Sequence, residues 1–169
     1  MKTLIVFRHG KSDWGANYRG DHSRPIVKRG RQAAATMGRF LALTGHLPDN
    51  VISSSARRAH ETVELAHSAG SWKCQIEIED SFYQANVDIV LSRIQREPDS
   101  TELLLIAGHE PTWSDLVSGL SGGGQLRFPT AAMARIDLDI HHWSAAAPAT
   151  GRLIWLIPPR LLSDSGLEI

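Results

Sequence analysis

The chain has 169 residues, inside the usual range of one domain and long enough to bury roughly 70% of the surface its unfolded form exposes, so it needs no covalent staples. Lys plus Arg and Asp plus Glu number 18 each, a formal net charge of zero. That balance excludes a molecule-wide basic field suited to nucleic acid or an anionic membrane, and any positive charge that matters is local.

Residues 2–8 form the first expected strand, whose apolar run Leu4-Ile5-Val6-Phe7 ends directly in Arg8-His9-Gly10. After a long loop, a helix is expected over 28–44. It carries Ala33, Ala34, Met37, Phe40 and Leu41 on one core-facing side, with Val27 where a capping Ser or Thr is usual. A strand at 50–53 runs into Ser54-Ser55-Ala56-Arg57-Arg58-Ala59-His60-Glu61-Thr62 and a helix over 56–69. The strand expected at 73–78 holds the lone Cys74, read as a small buried hydrophobe; a single cysteine excludes an internal disulfide and fits a reducing compartment.

A helix is expected over 86–96, then a strand over 102–107 that delivers Ala107-Gly108-His109-Glu110-Pro111-Thr112, then a helix over 111–120. Gly122-Gly123-Gly124 breaks the chain before two last strands near 131–138 and 151–157, the second stopped by Pro158-Pro159. Between them, His141-His142-Trp143 reads as a strand-end turn and Ala145-Ala146-Ala147-Pro148 as a surface loop. Alternating strands and helices with right-handed crossovers predict a three-layer α/β/α sandwich around a mainly parallel sheet, a single domain over 1–169. The amino-terminal apolar run is too short for a secretory h-region, and no stretch approaches the roughly 20 apolar residues of a membrane span, so a cytoplasmic location is expected.

Three segments share one grammar: an apolar strand, then Arg or His at its carboxyl end, then the start of a helix or loop. If those strands lie parallel in one sheet, Arg8, His9, Arg58 and His109 converge on one crevice, where open α/β sheets build their active sites. Two guanidiniums and two imidazoles in one hollow suit a phosphoryl group. Arg matches phosphate oxygens with a planar fork of donors, and a helix amino end adds backbone N–H groups. A neutral imidazole is nucleophilic near pH 7, and Arg8 and Arg58 are expected to lower the pKa of His9 and keep it neutral.

These residues, in this order, resemble the histidine phosphatase superfamily, also called phosphoglycerate mutase-like. Its marks are an RHG-type motif at the first strand end, a serine followed by RA with a threonine three residues on, and GH after a later strand. The stretches Arg8-His9-Gly10-Lys11-Ser12-Asp13-Trp14, Asp21-His22-Ser23-Arg24-Pro25-Ile26 and Lys28-Arg29-Gly30-Arg31 are similar to the small SixA-type phosphohistidine phosphatases. Phe82-Tyr83-Gln84-Ala85 and Phe128-Pro129-Thr130-Ala131 fall where that group has LYxA and a PTG-like turn.

The resemblance implies a phosphoglycerate mutase-like fold without the large helical lid, and a phosphatase in which His9 Nε2 takes the phosphoryl group. Arg8, Arg58 and His109 would complete the catalytic set, with Lys11, Ser12 and Arg24 as candidate substrate-binding residues and Trp14 as a wall. The motif register favours Arg58 over Arg57. No cofactor and no metal are implied, since these groups already supply the positive charge, and Trp113 stands where a zinc helix would place a second His after His109. Gln84 occupies the stretch where many members carry an acid, leaving Glu110 and Asp13 as weaker candidates for a general acid. The implied partner is a phosphorylated protein, such as a histidine-phosphotransfer domain, with no nucleic acid and no membrane. Two alternatives stand beside it: the same mechanism on small phosphorylated metabolites or on phosphoserine or phosphothreonine proteins, and a phosphate-binding regulatory module without turnover.

Overall fold

A computed structural model describes residues 1–163. Six strands form one sheet in the order β3-β2-β4-β1-β5-β6, with β1 Lys2–Arg8, β2 Asn50–Ser54, β3 Ile76–Glu79, β4 Leu103–Gly108, β5 Met133–Leu138 and β6 Gly151–Ile157. Neighbours from β3 through β1 run parallel, and β5 alone is reversed, pairing antiparallel with both β1 and β6. The helices are α1 Lys28–Leu43, α2 Arg57–Gly70, α3 Val87–Ile94, α4 Thr112–Leu120 and α5 Pro159–Ser163, with short 3-10 turns at Asp21–Ser23, Asp80–Phe82 and Trp143–Ala145.

Successive side chains of a strand point to opposite faces, and this alternation produces two cores. Leu4, Val6, Ile52, Leu104 and Ile106 meet Val90 and Ile94 of α3 and Trp113, Leu116 and Val117 of α4. On the other face Ile5, Phe7, Val51, Leu105 and Ala107 meet Met37 and Leu41 of α1, Val63 and Ala66 of α2, and Leu162 of α5. The central strands are buried on both faces, which is why β1 and β4 read as unbroken apolar runs. Gly38 lets α1 press against α2: a Cβ there would collide with the Ala66 carbonyl. The result is the expected α/β/α sandwich with a mostly parallel sheet. No helix among the described residues is long and apolar enough to cross a membrane.

Several local expectations are corrected. The strand placed at 73–78 begins only at Ile76, so Cys74 precedes it and is half-buried rather than buried. The helix of 86–96 runs over Val87–Ile94, capped by Asn86, whose side chain accepts from the Ile89 amide at 3.0 Å. Pro158-Pro159 stops β6 at Ile157 as expected, but Pro159 is also the first residue of an unforeseen short helix, α5, where its missing N–H costs nothing. Ala146, expected in a surface loop, is buried in the α3–α4 core. Val27 gives α1 no side-chain cap. The end is tied down instead by the Val27 amide donating to the Lys11 carbonyl at 2.9 Å and the Ile26 amide donating to Glu61 Oε2 at 3.0 Å.

Candidate active site

Register brings the three strand ends together. Arg8 lies opposite Gly108 across β1 and β4, and Ser53 lies opposite Ala107 across β2 and β4, so the chain leaves all three parallel strands at nearly the same level. A hollow of about 220 Å³ opens there. Arg8, His9, Lys11, Ser12, Arg24, Arg58 and His109 all line it, and Trp14, Glu110 and Thr130 complete its walls. Asp13 is not among the lining residues; its carboxylate accepts the Gly15 amide in a turn.

His9 is only 8% exposed. Its Nδ1 lies 2.7 Å from the Gly10 carbonyl oxygen. A carbonyl only accepts, so Nδ1 carries the proton and Nε2 holds the lone pair. Burial pushes the His9 pKa down to about 4, helped by the positive charges of Arg58, Arg8 and Arg24 and opposed by the Gly10 hydrogen bond. The arginines therefore act in the expected direction, but desolvation is the larger cause. The outcome is a neutral imidazole at physiological pH.

His109 stands beside it, ring centroids 5.2 Å apart. Its Nε2 is 2.8 Å from Ser54 Oγ, and that hydroxyl accepts the Ala56 amide at 3.3 Å. With the Ser54 hydroxyl hydrogen directed at Nε2, the His109 ring proton lies on Nδ1. Burial, then His9 and Arg58, push the His109 pKa down to about 3. Gly108 precedes it because a Cβ at that position would strike the Trp113 ring beneath.

Arg58 sits in the first turn of α2 and is held by Asp21: Nη1 donates to the Asp21 carbonyl at 2.8 Å and Nη2 to Asp21 Oδ2 at 2.9 Å. Arg57, by contrast, points outward and pairs with Glu61 at 2.7 Å. Arg8 donates from Nη1 to the Phe128 carbonyl at 2.6 Å. Arg24 is buried between Asp21 and Ser12, and Trp14, 70% exposed, stacks over its guanidinium at 3.6 Å. Lys11 is exposed at the rim. Burial lowers the pKa of both Arg8 and Arg58, opposed by the charges of Glu110 and Asp21 respectively.

Four buried side-chain nitrogens among the described residues have no protein partner: Arg8 Nε, Arg58 Nε, His109 Nδ1 and, in the core beneath Gly108, Trp113 Nε1. Native proteins leave few buried donors unpaired, and here three belong to residues that line one hollow. An oxyanion bound in the hollow would be the acceptor these three lack.

Glu110 is the one carboxylate among the lining residues, and it is occupied: Oε1 accepts the Ser114 amide at 3.0 Å and Oε2 the Ser114 hydroxyl at 2.8 Å. Gln84 lies apart, lining a neighbouring cavity of about 630 Å³ that shares His109 and Glu110 with the hollow. Among the described residues no three His, Cys, Asp or Glu side chains are grouped to hold a metal ion. His22, His46, His60 and His67 each have a local partner: Ser55, Arg135, Glu64 and the Cys74 carbonyl. Exposed His142 pairs with Asp99 at 2.7 Å, in the turn expected for His141-His142-Trp143. Sequence reasoning gave no role to Asp21 or Ser54; the available signal for Asp21 was a carboxylate three residues before Arg24 within a long loop.

A family model for the histidine phosphatase superfamily (branch 1) matches residues 4–89. An uncharacterized protein of Mycobacterium tuberculosis is 31% identical over 163 residues, covering 90% of this chain and 99% of its own. A chain assigned as the phosphohistidine phosphatase SixA of Nakamurella multipartitia superposes with a TM-score of 0.79 at 26% identity, covering 93% of this chain and 96% of its own. The protein histidine phosphatase SixA, solved with tungstate, shares the fold with a TM-score of 0.82 at 22% identity, over 95% of this chain and 99% of that one. Sequence match and architecture agree: the chain belongs to branch 1 of the histidine phosphatase superfamily and is a phosphatase.

Proposed function

We propose that the protein is a phosphohistidine phosphatase that works through a covalent phosphohistidine on His9. The observation that carries this reading is the set of three unpartnered buried donors beside the free Nε2 of a neutral imidazole. In the first step the Nε2 lone pair forms a bond to phosphorus while the phosphorus–nitrogen bond of the substrate breaks, its electron pair leaving on the departing imidazole, which takes a proton from solvent. In the second step water attacks the phosphoryl group of His9. Orthophosphate departs, Nε2 recovers its lone pair, and the water proton passes to solvent.

Arg8, Arg58 and His109 donate to the equatorial oxygens, where charge accumulates in the transition state. Lys11, Ser12 and Arg24 bind the substrate around them. No step draws on a metal.

The leaving group follows from the acid chemistry. An alkyl phosphate needs a proton delivered to its departing oxygen, yet the one lining carboxylate, Glu110, is spent on Ser114. A phosphoramidate nitrogen is readily protonated. Transfer from one imidazole to another also exchanges bonds of the same kind, so little driving force is required. A phosphorylated protein such as a histidine-phosphotransfer domain is the matching partner for a rim without a lid. Residues 1–169 act as one catalytic domain, and the single Cys74 accords with a reducing cytoplasm.

The test is a comparison of kcat/KM for a phosphohistidine-bearing protein, p-nitrophenyl phosphate and a small phosphorylated metabolite such as 3-phosphoglycerate. The phosphohistidine protein should lead by at least tenfold. A preference for either monoester assigns the site to the alternative substrate class.

A further inference from the structure

We propose that Asp21 is the positioning residue for the arginine pair of this site. The proposal rests on the reading of Arg58 as a phosphoryl-binding group. Asp21 begins the 3-10 turn Asp21–Ser23, inside the long connection between β1 and α1, and its two carboxylate oxygens are divided between two guanidiniums. Oδ1 accepts from Arg24 Nε at 3.1 Å and Nη2 at 2.8 Å, while Oδ2 accepts from Arg58 Nη2 at 2.9 Å. The Asp21 backbone carbonyl takes Arg58 Nη1 at 2.8 Å. Oδ2 also accepts the Tyr83 hydroxyl at 3.2 Å, so the residue that closes the 3-10 turn Asp80–Phe82 braces the same carboxylate.

Donor bookkeeping shows what this achieves. A guanidinium has five N–H groups in a rigid fork. Asp21 engages both terminal nitrogens of Arg58, which fixes the plane and the torsion of the fork and leaves Nε, buried and without a protein acceptor, for the substrate. Arg24 is held differently, through Nε and Nη2 on the single oxygen Oδ1, and its Nη1 contact goes to Ser12 while its face carries Trp14. A chain of contacts therefore runs from Trp14 through Arg24, Asp21 and Arg58.

Arrangement of charge points the same way. The arginine side chains are 5% and 7% exposed, whereas the Asp21 side chain is 41% exposed. A carboxylate kept at the rim offsets the repulsion between two buried cations without standing among the residues that line the hollow. An anion can then enter beside Arg58 without displacing it. In its absence the two guanidiniums would separate, and Arg58 would have to be reoriented in every catalytic cycle.

Kinetics of Asp21→Asn and Asp21→Glu with p-nitrophenyl phosphate, together with tungstate affinity and melting temperature, test this role, and the use of a monoester keeps the result independent of substrate preference. Asn preserves size but turns an N–H₂ toward one guanidinium. A loss of about 10–100-fold in kcat is expected, the scale seen when partners that orient active groups are removed, with KM changed less than about threefold and partial recovery in Asp21→Glu. The decisive arm is Asp21→Asn added to Arg58→Ala. If Asp21 works through the arginine pair, the second substitution costs several-fold less in that background than in the unaltered protein, the remainder being what it exerts through Arg24. Multiplicative losses, or a wild-type kcat in a folded Asp21→Asn protein beside an impaired Arg58→Ala, overturn the assignment of Asp21 alone. A wild-type rate in Arg58→Ala overturns it together with the reading of the site on which it rests.

Discussion

Gly10 and Thr62 are joined by a hydrogen bond of 2.9 Å from the Gly10 amide to the Thr62 hydroxyl, which in turn donates to the Arg58 carbonyl at 2.6 Å. One side chain thus ties the exit of β1, which carries His9, to the turn of α2 that carries Arg58. This gives the threonine of the RA-x-x-T pattern a mechanical purpose: it sets the spacing between His9 and Arg58, the proposed nucleophile and the proposed phosphate-binding arginine.

Thr62 is fully buried, so Thr62→Val leaves the Gly10 amide without an acceptor. Such an unpaired buried group costs about 1–3 kcal/mol. Denaturant unfolding should show a loss of that size, accompanied by lower kcat, while Thr62→Ser retains both. Equal stability of the Val and Ser variants would contradict the link.

In the proposed mechanism, removal of either arginine takes away donors to the developing oxyanion without touching His9. Arg8→Ala and Arg58→Ala should each lower kcat by about 10²–10³-fold, the loss typical of one transition-state contact. Steady-state kinetics on folded protein checks this, and a change confined to KM would show that the arginines bind ground state and transition state alike.

The pKa of His9, lowered from 6.5 to about 4 by burial, has a defined sign in stability. Between those two values the unfolded chain binds a proton at this residue that the folded protein refuses, so stability rises with pH through that window and falls on acidification. The full shift corresponds to a loss on the order of 3 kcal/mol between neutral pH and pH 4. His9→Gln should lose correspondingly less over the same range in urea titrations, whereas parallel curves for the two proteins would show that His9 is not desolvated.

Much of this site was legible because its groups fall where apolar runs stop. Arg8, His9 and His109 follow strands whose burial is written in consecutive Leu, Ile, Val and Phe, and the parallel register then brings their ends level. Arg58 could be chosen over Arg57 by motif register, and the structure shows why: one turns into the hollow while the other pairs with Glu61 on the surface. Asp21 was not legible in this way. A loop carboxylate has no periodicity, and its partners lie three and thirty-seven residues away. The stop read into Pro158-Pro159 holds for β6, which ends at Ile157, but the short helix α5 that follows was not foreseen, because proline ends a strand and also suits the first position of a helix. Arg8 and Arg58 lower the His9 pKa as their charges predict, but the larger cause, burial, could not be named from sequence.

The covalent step on His9 is tested most directly by a brief incubation with a phosphorus-labelled phosphodonor, followed by denaturation in alkali, where phosphohistidine survives, and mapping of the label. Label on His9 at up to one equivalent, lost on acid treatment, with none in a folded His9→Gln protein that is also inactive, is the expected result. Near-normal turnover by His9→Gln, or turnover by the unaltered protein through a label on another residue, would contradict it.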